Sequence, residues 1–365
     1  MTILNFNAMR FSLFLISILA PFTHPTKASE RDFSHFQEDL ESFREENGLT
    51  SMVVGVWRQG EPAFREAFGT SMPGTPADLS MKFRAGGTCL TSVTAVLLKT
   101  VESGKVSLDD TIEKWMPDLP KSDEVTLRML ANCTAGYGDY VPNEEFISVF
   151  EENPFRFFTP EELIDYGLDG GMSYEPGTDW AYSHTTFVIL GMILEKIHGK
   201  PVPQLLEEMV FTPLELSDTV YTPGPALEAP ILHAYTTERG PFEDSTFWNP
   251  SWTSYSGSIA STVDDVAGIF RSIGAAELIS PESLAEMIAP TTVGLGRNTK
   301  ERYYGMGLGV MGDWIMQNPN FGGYRGIILY NMKTDVTVVA FVTLGSQTDP
   351  NTHYGMKLMP LLMQQ

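Results

Sequence analysis

Phe83-Arg84-Ala85-Gly86-Gly87-Thr88-Cys89-Leu90 decides how the rest of this chain is read. From Thr88 onward apolar residues recur at helical spacing as far as Ser103, and Gly104 supplies a stop. The spacing predicts a helix over 88–103 that opens on a glycine pair. The residue at the opening is Gly87 and the one three places on is Leu90. Neither can act as a nucleophile or a base. At about 100° per residue, Cys89 turns away from Gly87, whereas Thr91 shares its face one turn deeper.

Residues 1–28 read as a secretory signal: Arg10 precedes an apolar run from Phe11 to Phe22, and Thr26-Lys27-Ala28 suits a cleavage site. An uncut anchor is the other reading of that run, which is short for a membrane span. No later stretch is apolar enough to cross a bilayer, so no stable span is expected. The formal charge of −22 disfavours nucleic acid and anionic membrane surfaces as partners. It fits an exported chain, periplasmic or secreted. Cys89 and Cys133 allow one disulfide and resemble no zinc site, and the histidines show no metal spacing. No cofactor is implied.

Ser51–Trp57 and Ala63–Phe68 read as strands around the turn Gln59-Gly60-Glu61-Pro62, after a helix over Asp32–Glu46. Residues 105–235 are rich in helical patterns, with a clear helix over Thr186–His198. Strands return at Tyr303–Val310, Gly326–Asn331 and Thr337–Leu344, and Tyr354–Met363 reads as a final helix. Strands at both ends with helices between predict a sheet closed by both termini, with a ligand cleft between sheet and helices.

Further segments carry chemistry in a fixed order. They are Thr126-Leu127-Arg128-Met129-Leu130 with Thr134-Ala135-Gly136, then Tyr174-Glu175-Pro176-Gly177 running to Tyr182-Ser183-His184. Next come Tyr255 to Thr262 with Asp264-Asp265, Gly305 to Gly309, and Asn320-Phe321-Gly322-Gly323. In order and spacing they resemble the penicillin-binding-protein and class C β-lactamase family of serine hydrolases. The resemblance implies an α/β (α+β) fold of the β-lactamase/transpeptidase type, an antiparallel sheet flanked by helices. Residues 29–365 form the domain, with an α/β part near 29–104 and 240–365 and a helical part near 105–239. In that family a Ser attacks an ester or amide carbonyl, while a Lys three residues later and a Tyr ease removal of its proton and return it to the leaving group. The Ser falls here on Gly87 and the Lys on Leu90. Tyr182 carries over, His184 replaces an Asn, and Asn320 stands where a Lys or His opens the closing-strand motif, followed by the bulky Phe321.

Losing such a nucleophile costs about 10⁶ in kcat, so the acyl-enzyme route is closed to this sequence. Three readings remain. The first is a non-hydrolytic homologue that binds a small-molecule, acyl or peptide-like ligand, or a protein partner, in the cleft. Its expected lining is Gly87, Thr88, Leu90, Thr91, Asn320, Phe321, Gly322 and Arg325. Arg325 would meet a ligand carboxylate or form a surface ion pair. Trp180 and Trp252 would serve as cleft walls or as core. The second reading is rebuilt chemistry, as a hydrolase, lyase or isomerase, with Tyr182 and His184 as acid and base. The third is residual esterase activity through Thr88, Thr91 or Cys89.

Overall fold

Residues 33–365 are described by the structure, a computed structural model. The leader assigned to residues 1–28 lies outside the described residues. Helix α1 (Ser34–Glu46) leads to a hairpin of β1 (Ser51–Arg58) and β2 (Glu61–Met72), with β3 (Thr75–Pro76) folded back on β2. Short β4 (Phe83–Arg84) runs into α2 (Thr88–Glu102). The helical stretch holds α3 (Leu127–Ala131), α4 (Glu144–Glu152), α5 (Pro160–Leu168), α6 (His184–His198) and α7 (Val202–Leu206). Their starts are chemically marked. Asn143 caps α4, and Thr159 with Glu162 forms a reciprocal capping box on α5, satisfying amides that the first helical turn leaves free.

The chain returns through β5 (Val220–Tyr221), β6 (Tyr235–Thr236), β7 (Glu243–Asp244), a 3₁₀ stretch over Pro250–Ser256 and β8 (Ile259–Ser261). Helices α8 (Val263–Gly274) and α9 (Pro281–Met287) follow. Then come β9 (Arg302–Tyr304), β10 (Gly309–Met311), β11 (Trp314–Gln317), β12 (Asn320–Phe321), β13 (Tyr324–Asn331), β14 (Val336–Thr343) and α10 (Tyr354–Leu362). The strand expected over Tyr303–Val310 is split into β9 and β10. Gly307 takes φ +66°, and the Gly305 N–H donates to the Leu308 carbonyl, which reverses the chain.

The main sheet has nine strands in the order β3-β2-β1-β14-β13-β11-β10-β9, with β12 paired to β13. Its pairings are antiparallel throughout. Helices cover both faces, so the central strands are buried on both sides. Met52, Val54 and Val56 of β1 join Val338, Ala340 and Val342 of β14 under α1 and α10. Val53 and Trp57 point the other way, with Val339 and Phe341, into the larger core under α2 and α8. The period of two along each strand sorts these side chains between the two cores.

Trp57 folds back over Gly55, where an added Cβ would lie 2.1 Å from the indole. Gly55→Ala is expected to displace that ring and lower stability by about 1–3 kcal/mol, read from the midpoint of chemical denaturation. A midpoint equal to that of the parent chain would show that the indole has room to move.

Candidate functional site

A cavity of about 850 Å³ opens where the start of α2 and the β11–β12 end of the sheet face α4 and the start of α6. Gly87 lines it from the opening of α2, Tyr182 and His184 from the opening of α6, and Gln317, Asn320 and Gly322 from the sheet end. The glycine pair has a geometric reason. Gly86 takes φ +48°, a conformation that L side chains rarely adopt. A Cβ on Gly87 would sit 2.8 Å from Gln317 Oε1. Gln317 is pinned in place, because its Nε2 donates to the Gly307 carbonyl at 2.7 Å and to Thr91 Oγ1 at 3.3 Å.

Of the expected lining, Gly87, Asn320, Gly322 and Arg325 border the cavity, whereas Thr88, Leu90, Thr91 and Phe321 do not. The first turn of α2 lies tucked beneath the Gly305–Leu308 reversal. Thr91 donates to the Gly307 carbonyl at 2.6 Å, and Leu90 is packed into the larger core. Phe321 stands behind Trp252, with ring centroids 5.6 Å apart. Cys89 and Cys133 are separate buried thiols, so the disulfide option is not taken. Cys89 bonds to the Tyr255 carbonyl, and burial pushes its thiol far up. Burial pushes Cys133 up to about 12. The serine and threonine that border the cavity, Ser256 and Thr253, donate to the carbonyls of Thr253 and Pro250. Among the described residues, no lysine borders it.

His184 is the first residue of α6 and follows extended Ser183. Its Nδ1 lies 3.1 Å from both carboxylate oxygens of Asp139, and its backbone N–H donates to the same carboxylate. This contact engages Nδ1 and fixes the ring, while the residue borders the cavity. Tyr182 packs edge-on against His184 at 4.9 Å. Burial, reinforced by Cys133 and Asp139, holds its phenol well above the usual range. Tyr182 is therefore neutral at pH 7. Sequence reasoning missed Asp139, Gln317 and Tyr304. Asp139 carries the weak signal of an acid between Gly138 and Tyr140, but its pairing 45 residues away was not readable.

Arg325 is buried and already engaged. It donates to Glu238 at 3.1 Å and to the carbonyls of Gly322, Tyr324 and Pro350. It therefore forms a buried ion pair at the cavity edge, neither a surface pair nor a free carboxylate receptor. Burial lowers its pKa and raises that of Glu238.

An antiparallel sheet covered by helices, with a cleft at the opening of α2, is the β-lactamase/transpeptidase-like fold. Residues 36–356 match the Beta-lactamase family, and the chain belongs to that family. It is 24% identical over 296 residues to the esterase EstB of Burkholderia gladioli, covering 72% of this chain and 75% of that protein. It is 28% identical over 186 residues to the D-alanyl-D-alanine-carboxypeptidase/endopeptidase AmpH of Escherichia coli (strain K12). That match spans about half of either chain, 49% here and 47% there. A solved D-stereospecific amidohydrolase from Streptomyces sp. superimposes with a TM-score of 0.77 at 24% identity, over 87% of this chain and 96% of that one. The D-amino acid amidase of Ochrobactrum anthropi SV3 gives 0.76 at 21% identity, over 91% and 98%.

The buried ion pair yields a quantitative expectation. Glu238→Ala strands the Arg325 charge and is expected to cost about 3 kcal/mol, the low end for breaking a buried pair, since Glu238 is 32% exposed. The double variant Glu238→Met/Arg325→Met is expected to recover most of that loss in the same denaturation assay. A double variant less stable than the single one would refute the expectation.

Proposed function

We propose that this chain is a non-acylating member of its family, which binds a small-molecule, acyl or peptide-like ligand in the cleft. One observation carries the proposal. Where α2 opens there is a glycine, and the space its side chain would need is held by Gln317 Oε1. Leu90 supports it from the core side, where an apolar side chain stands at the position the resemblance assigns to the base. The relatives are named for ester, amide and peptide hydrolysis, so ligands of those shapes are the ones to screen. The leader pattern over residues 1–28 supports export. Thr88, Thr91 and Cys89 are buried away from the cavity, which leaves residual esterase activity without support.

A second reading is favoured by the Asp139–His184 contact. A carboxylate on Nδ1 leaves Nε2 free to accept a proton, with Tyr182 beside it as a neutral acid. On this reading a small substrate is turned over without a covalent intermediate. His184→Ala or Tyr182→Phe would then abolish turnover, and full activity in both variants would exclude it.

The leading proposal is tested by intact-protein mass spectrometry of the purified chain after exposure to a penicillin, a cephalosporin and a fluorophosphonate. An unchanged mass is expected with all three. A stoichiometric adduct on any cleft residue would overturn the proposal.

A further inference from the structure

Among the described residues, every arginine but two directs its guanidinium at a carboxylate, carbonyl or hydroxyl oxygen. The exceptions are Arg297 and Arg302, and both border the cleft. The chain carries 46 acidic residues against 24 basic ones, so carboxylate partners are plentiful. None among the described residues lies within ion-pair distance of either guanidinium. The other two arginines of the wall are spoken for, Arg239 by Glu243 and Arg325 by Glu238. The wall's unpaired carboxylate, Glu151, sits on α4 beside Arg239, at the helical side of the cleft.

The positive end continues into a run of aromatic rings, of which Tyr140 lies behind the cavity lining and the others border it. Arg297 lies over the ring of Trp180 at 5.4 Å. From Trp180 the ring contacts step through Tyr304, Tyr182, His184 and Tyr140 to Phe146, at centroid distances of 5.6, 5.9, 4.9, 5.8 and 5.3 Å. Phe146 in turn meets Phe150 and Trp252. Ile147, at the same helical turn, borders the cavity yet is 38% exposed. The cleft is thus bipolar, with free guanidiniums at one end and an aromatic and aliphatic surface at the other. Its volume of about 850 Å³ is near the top of the range for ligand pockets, roughly 300–1,000 Å³.

Resting on the ligand-binding reading above, we infer that the ligand is an anionic amphiphile of the N-acyl amino acid class. Its carboxylate is received by Arg297 and Arg302, and its acyl chain runs along Phe146, Phe150 and Trp252 towards Ile147. Planar guanidiniums match a carboxylate in two-pronged geometry, and Arg297 keeps its donors free while its face rests on Trp180.

The test is calorimetric titration of the chain with N-dodecanoylglycine, its methyl ester and N-acetylglycine. Tryptophan fluorescence is a second readout, because Trp180 and Trp252 border the cavity. One-to-one binding of the acid is expected, with the ester and the short acid each weaker by about tenfold or more. In Arg297→Gln/Arg302→Gln, which alters two exposed side chains, acid and ester are expected to bind alike. Ile147→Asp is expected to weaken the dodecanoyl probe and leave N-acetylglycine unchanged. Equal binding of acid and ester by the parent chain overturns the inference, as does an acid preference that survives the double substitution. Either result leaves the ligand-binding reading standing, since that reading falls on a covalent adduct in the mass spectrum.

Discussion

The pairing of β1 with β14 is the constraint on which the cleft depends. Eight residues of each strand run in register, from Ser51 opposite Thr343 to Arg58 opposite Val336. The Ser51 and Thr343 hydroxyls meet at 2.6 Å across 292 residues of chain. The entropy of closing so long a loop grows only logarithmically with its length, so the buried ladder can offset it. Once β14 is in place, its Phe341 stacks on Phe83 with centroids 4.0 Å apart, just upstream of Gly87. β14 also aligns β13, which aligns β11 and its terminal Gln317. Gly87 and Gln317 belong to opposite ends of the chain, and both hang from one strand.

Their contact is a mutual dependence. Gln317 is a buried amide, and a buried amide that loses a partner costs about 1–3 kcal/mol. A side chain on Gly87 would push Oε1 aside and disturb the bonds from Nε2 to Gly307 and Thr91. Gly307 belongs to the reversal between β9 and β10, and Thr91 to the first turn of α2. The opening of α2 is thereby tied to the sheet through a carboxamide. On the proposed reading, this tie stands where a reactive hydroxyl and a cation would otherwise have to be held close together and partly desolvated.

The fold was largely legible because its long elements follow simple periods. α2, α6 and α10 lie within a residue or two of their sequence limits, as do β1, β13 and β14. What escaped was short or tertiary. β11 has four residues and is almost wholly buried, so no alternation marks it, and without it Gln317 could not be placed at the cleft. Helix facing assigned Thr91 to the cleft because it shares a side with Gly87, and the resemblance assigned Leu90 there because the family's Lys falls on it. The Gly305–Leu308 reversal covers that side, so the same rule now accounts for their burial. Asp139 came to the site from a segment with no periodic signal, and Tyr304 from a strand whose place beside Tyr182 only the folded chain makes.

The charge distribution makes the strongest argument about what the cleft selects. A net charge of −22 repels anions at long range, yet at physiological salt that field fades within about 8 Å. Near the mouth, the charges that count are those within that distance. Arg325 and Arg239 are neutralised by Glu238 and Glu243, so the burden falls on Arg297 and Arg302. Exposed guanidiniums are cheap to leave unpaired, since water solvates them, and their attraction for a ligand grows as the ligand displaces that water. On the proposed reading, an acidic surface combined with a locally cationic, aromatic-walled cleft discriminates by shape as well as by sign. Small anions gain little against the overall field, whereas an anion carrying an apolar body adds burial along Phe146, Phe150 and Trp252 to the local attraction.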